Sequence, residues 1–94
     1  MIEKDKKYFE LIKSKNEDTV KLKEFIIDKL VNNIEFYKKN KYIRIVVDVR
    51  NYPNCGVKKD WIYKVCEYYL GSYKIDIYYC LINYYNCNIT IKVK

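Results

Sequence analysis

Histidine, alanine and glutamine are absent from this 94-residue chain, which also has only two glycines and one proline. Without histidine the commonest general base is missing, as is the imidazole that would complete a cysteine-based zinc site. Two glycines cannot build a phosphate-cradling loop. The four cysteines, Cys55, Cys66, Cys80 and Cys87, contain no C-x-x-C pair, so no metal is expected. "MIEKDKKYF" has no apolar core of a secretory leader, so the cysteines read as reduced thiols in the cytosol. The longest uncharged stretch, Ile77 to Thr90, is broken up by Asn, Thr and Tyr, and no membrane span is expected. The length suits one domain with one modest core.

What is present is concentrated in few residue types. Lys, Ile, Tyr and Asn number 17, 13, 12 and 9 and supply 51 of the 94 residues. Such a bias toward A+T-rich codons removes the weight of any single lysine; only clustering counts. The net charge of +7 points to an anionic partner, with nucleic acid first and an acidic membrane surface second. The tyrosines bring apolar rings with polar tips, which suit a wet interface.

"KKYFELI" from Lys6 reads as a short strand or equally as a helical turn, and Lys13 to Asp18 as a loop. In "DTVKLKEFIIDKLVNN", Val20, Leu22, Ile26, Ile27, Leu30 and Val31 form a one-sided helical stripe, with Asp18 or Thr19 as cap and the paired asparagines as stop. Beyond them, "IEFYKKNKYIRIVVDV" alternates on both sides of a polar tetrapeptide, which predicts a hairpin with Lys38-Lys39-Asn40-Lys41 as its turn. The alternative is a helix running on through Tyr37, with a strand from about Tyr42. "RNYPNCG" breaks the pattern, and "VKKDWIYKVCEYYLG" then reads as a second helix closed by Gly71. Finally "YKIDIYYCLI" and "CNITIKVK" alternate around "NYYN", a second hairpin. The expected fold is α+β, in the order β-α-β-β-α-β-β, with both helices on one face of a mainly antiparallel sheet.

No catalytic set emerges. Asp48 and Asp76 lack a second carboxylate at nuclease-like spacing, Asp48 is expected to cap or to pair with a cation, and Cys55 has no base. No enzyme activity, cofactor or small-molecule substrate is expected. The basic residues are better placed for binding: Lys38, Lys39 and Lys41 at the turn, Arg44 on the following strand, and Lys58, Lys59 and Lys64 on the second helix, whose N-terminal amides also attract phosphate. Lys74 and Lys92 add charge to a polar sheet face beside Tyr78. Lysines with interleaved tyrosines suit folded RNA, where ammonium groups meet phosphates and rings meet bases. A protein-interaction adaptor resembling a dynein light chain, with the long helix continuing through Tyr37 and a sheet edge receiving a peptide strand, is the alternative.

In order and spacing, "KYFELI", "DTVKLKEFIIDKL", "IEFYKKNKYIRIVVDV", "NYPNCGVKKDWIYKVCEYYL", "YKIDIYYCLI" and "CNITIKVK" together resemble the eukaryote-specific ribosomal protein twenty-two family of the large subunit. The chain lacks that family's glycine-rich segment before the central hairpin and its acidic tail, and has Glu67 and Tyr68 where the family helix continues its lysines. The resemblance implies a non-catalytic ribosomal component in the cytoplasm. It would contact large-subunit ribosomal RNA and neighbouring ribosomal proteins, using Lys38, Lys39, Lys41, Lys58, Lys59 and Lys64.

Overall fold

The computed structural model describes residues 3–52, 57–71, 75–81 and 85–93. Among these, four helices and one three-stranded antiparallel sheet follow one another as α1 (Lys6–Ile12), α2 (Glu17–Asn32), α3 (Ile34–Asn40), β1 (Tyr42–Asp48), α4 (Lys59–Leu70), β2 (Ile75–Leu81) and β3 (Asn86–Val93). A 3-10 turn at Val49–Asn51 follows β1. The α+β class is as expected from the sequence; the order of elements is not.

The first correction is at "KKYFELI", which is helical. Asp5 caps it, accepting from the Tyr8 amide at 2.8 Å. The buried residues are Tyr8, Leu11 and Ile12, the i, i+3, i+4 set of a helix face, whereas the alternation needed for a strand would have buried Glu10. α2 begins one turn earlier than its apolar stripe suggests, because Asn16 is the cap: its Oδ1 accepts from Asp18 and Thr19 at 2.9 and 3.2 Å. Leu22, Ile26, Ile27 and Leu30 form its buried face, and the helix stops at the paired asparagines as predicted.

The second correction is the central hairpin. Residues 34–37 are not a strand but the start of α3, so Lys38 to Lys41 is the last turn of a helix and its left-handed exit rather than a hairpin turn. Neither sequence reading is fully right, since the helical path does continue past Tyr37 but is broken at Asn33, whose Nδ2 donates to the Lys29 carbonyl at 2.6 Å. The period-two pattern is undone by which ring is buried. Tyr37 enters the core at 7% exposure while Phe36, its alternation-mate on the supposed apolar face, stays 43% exposed. Glu35 in the first turn and Lys38 and Lys39 in the last also match the helix dipole.

β1 exists as predicted from Tyr42 onward, with Ile43, Ile45 and Val47 buried and Arg44 and Val46 exposed. The third correction is its partner. β1 does not pair with the chain before it but with β3, Tyr42 opposite Lys92 and Asp48 opposite Asn86. β3 also pairs with β2, Ile75 opposite Val93 and Leu81 opposite Cys87, as the second hairpin predicts. The strand order is therefore β1-β3-β2, with the last strand in the middle. Burying Ile43, Ile45, Ile75, Ile77, Ile89 and Ile91 on one face, together with α2, Ile62, Val65 and Cys66 of α4, makes the core. No polar side chain is buried outright among the described residues. α4 is tied to α1 by Trp61 Nε1 donating to the Leu11 carbonyl at 2.7 Å and Tyr68 Oη donating to Asp5 Oδ2 at 2.7 Å. Gly71 closes α4 in the left-handed conformation at φ 67°, as predicted.

Candidate nucleic-acid interface

The sheet has a second face, and the register decides what stands on it. The residues out of phase with the buried isoleucines fall in rows across the strands: Tyr42, Lys92 and Asp76; Arg44, Thr90 and Tyr78; then Val46 beside Asn88. Tyr78 is 52% exposed and Val46 49%. From the strand spacings, the Cα atoms of Tyr42 and Tyr78 lie roughly 12 Å apart. Asp48, at the far end of β1, is held by Arg50 at 3.0 and 2.7 Å and caps the 3-10 turn, which keeps its carboxyl below the usual carboxylate range. That is the cap and the cation partner expected of Asp48 from the sequence.

α3 delivers more charge to the Tyr42 end of this face. Lys38 and Lys39 stand in its last turn, and Lys41 follows in the left-handed conformation at φ 66°, its amide donating back to Tyr37 at 2.7 Å. The Lys41 carbonyl in turn accepts from Val93 at 3.0 Å, which fixes the corner against β3 beside Lys92. The Phe36 ring meets Tyr42 edge-on with centroids 5.4 Å apart, and the Arg44 guanidinium lies 5.6 Å from the centre of the Tyr42 ring. Asn33, Phe36, Tyr42, Ile43 and Arg44 line a cleft of about 210 Å³ there. Lys38 contacts Glu35 at 3.9 Å, both exposed, an ion pair of little energetic weight. Lys41 and Lys92 thus stand at the corner beside the Phe36–Tyr42 pair with Arg44 next along β1, Lys38 and Lys39 are exposed on the last turn of α3, and the acids of these elements are Glu35 and Asp76.

The remaining predicted contacts lie elsewhere. Lys58 is the cap residue of α4 with Lys59 its first residue, and Lys64 stands one turn on. Lys58 and Lys64 line a cleft of about 320 Å³ together with Lys23, Asp60 and Trp61. Lys59 Nζ sits 5.7 Å from the Tyr79 ring, toward the end of β2 away from the Lys41 corner and on the helical side of the sheet. So the two basic groups predicted from the sequence, 38–44 and 58–64, do not form one surface. Lys23, missed by sequence reasoning, belongs with the second group: its Nζ lies 5.5 Å from the Trp61 ring centre and donates to the Lys13 carbonyl at 3.1 Å. Its burial among these groups lowers its pKa. Lys74 and Cys55 lie outside the described residues. The parts of the first cluster that sequence reasoning missed are Phe36 and Tyr42, whose role appears only once α3 turns back onto β1.

Among the described residues no group of three acidic, cysteine or histidine side chains is placed to hold a metal ion, and no helix is long and apolar enough to cross a membrane. The family models, the curated proteins and the solved structures contain no match to this chain.

Proposed function

We propose that this protein binds unpaired RNA, with phosphates on the Lys38, Lys39 and Lys41 corner and bases on the open face of the sheet. The observation that carries this reading is the placement of Lys41, Arg44 and Lys92 beside Phe36, Tyr42 and Tyr78, with Lys39 on the adjoining helix turn, on a sheet face that no helix covers among the described residues. A flat face with exposed rings offers stacking that tolerates any base, and flanking cations supply affinity through counterion release. Arg44 can stack and donate at once, which a lysine cannot.

The ribosomal expectation rested on the order and spacing of six segments, with a central lysine-rich hairpin among them, and the first arm of that hairpin is helical. RNA binding is therefore kept without assigning the chain to the large subunit. Co-sedimentation of the native protein with large subunits through a high-salt gradient would restore that assignment.

Titration of a fluorescent single-stranded RNA with the full chain tests the proposal. With three to five phosphates neutralised, log affinity should fall against log salt with a slope of roughly −2 to −3.5. Tyr78→Ala should weaken binding about tenfold at constant salt, as loss of one stacked base does, and Lys39→Ala with Lys41→Ala should reduce the slope by roughly 1 to 1.5. Binding that is absent at low salt, or insensitive to salt, rejects the proposal.

A further inference from the structure

The two edges of the sheet are not alike, and the hydrogen-bond phase shows why. Val93 donates to Lys41 and Val49 to Tyr85, so the odd-numbered residues of β1 turn their amides and carbonyls toward β3. Tyr42, Arg44, Val46 and Asp48 must then point theirs outward, away from the sheet. The same phase carried across β3 turns the odd residues of β2 outward, and Tyr63 Oη indeed donates to the Ile75 carbonyl from outside, at 3.3 Å. The β2 edge is thus partly covered by α4. Beside β1, Asn33 and Phe36 share a cleft with Tyr42, Ile43 and Arg44 at one end; from Arg44 to Asp48 no strand among the described residues lies alongside. An edge left in this state is a template for another strand.

We propose that a second copy of this chain occupies this edge, β1 pairing antiparallel with β1 across a two-fold axis at Val46. The phase of the outward groups allows only registers that place even residues opposite even residues. Of these, the one centred on Val46 sets Val46 against its own copy and Arg44 opposite Asp48 of the other copy, twice. It also confines the pairing to Arg44–Asp48 and leaves Tyr42, against whose ring Phe36 of α3 packs, outside the ladder. Among the described residues Arg44 has no acidic partner within ion-pair distance. Asp48 accepts three hydrogen bonds from Arg50, through both oxygens, and a carboxylate has about four acceptor positions. Opposite charges directly across an antiparallel pair favour that register, and a half-exposed valine at the centre is removed from water by its copy. The two sheets become one of six strands with all helices on the same side and both open faces continuous. The pairing does not depend on RNA binding.

Sedimentation velocity on the RNA-free full chain tests this, since a short edge pairing of this kind belongs to the weak class and should appear over about 10 to 200 µM. Val46→Pro removes a donor that the β1–β3 ladder does not use, and Val46→Lys sets two ammonium groups face to face; each should shift the dimer at least tenfold in concentration. Arg44→Glu should do the same and Arg44→Lys should not, with circular dichroism confirming that the variants remain folded. Val46→Cys should crosslink to itself on mild oxidation, as paired Cα atoms about 5.5 Å apart allow, while Thr90→Cys on the central strand should not. A chain monomeric at about 200 µM, or a dimer indifferent to these substitutions, overturns the proposal. A monomer that takes up an extended peptide along β1 would overturn it in favour of an adaptor.

Discussion

Lys41 is the only described non-glycine residue with positive φ, at 66°. A side chain there costs about 1 kcal/mol relative to glycine, and Lys41→Gly should raise the stability measured by urea unfolding by about that much. If the lysine stands there for its charge, the same variant should bind RNA less tightly, so stability and affinity move in opposite directions. Asp5 gives a pH signature. The Tyr8 amide, then the Tyr68 hydroxyl, hold its carboxyl below the ordinary value of 3.8, although it is only partly buried. A depressed carboxylate contributes stability above its unfolded value and loses it as pH falls through the folded one. The acid decline below about pH 4 should therefore be shallower in Asp5→Ala than in the parent, with lower stability at neutral pH. Cys66 is fully buried, and burial pushes its thiol up to about 12. It should resist alkylation at about pH 8 until the chain unfolds, measured by mass spectrometry of the modified peptide.

At the scale of elements, much was legible. α2 and α4 announce themselves by a one-sided apolar stripe of three turns or more, and β2 and β3 by alternation about a polar turn; all four exist as elements, with only the start and cap of α2 shifted, to Glu17 and Asn16. α1 and α3 were misread for a shared reason. Each is seven residues long, too short to form a helix without tertiary contacts, and each mixes aromatic and branched residues in adjacent positions, so that period two and period 3.6 fit equally well. What decides is which ring the core accepts, and that is settled by packing against α2 and β1 rather than by local pattern. The choice can be measured at two adjacent positions. Tyr37→Ala should cost about 3 kcal/mol or more, as removal of a buried aromatic does, whereas Phe36→Ala should cost less than about 1. Ile26→Ala, at the centre of α2 with no exposed surface, should cost about 3 kcal/mol. Equilibrium urea unfolding reads all three. Of the candidate site, the cations were legible because they cluster in sequence, while their grouping was not, because the α3 turn and the β1–β3 register bring Phe36, Tyr42 and Lys92 together from separate segments.

For the whole molecule, the consequence is a division of charge. One basic group sits on the open face at the Lys41 corner, and the other at the start of α4 on the helical side. Under the RNA-binding proposal only the first should matter for a short single strand: Lys58→Ala with Lys59→Ala and Lys64→Ala should weaken a titration with an oligonucleotide of about six nucleotides less than threefold, against tenfold or more for the corner. Longer RNA that wraps both ends would show both. The strand order carries a consequence of a different kind, one of timing. Among the described residues β1 and β2 are not paired with each other; each pairs with β3, the last of the three to be synthesised. During translation the two outer strands therefore wait with neither ladder formed until the centre of the sheet leaves the exit tunnel.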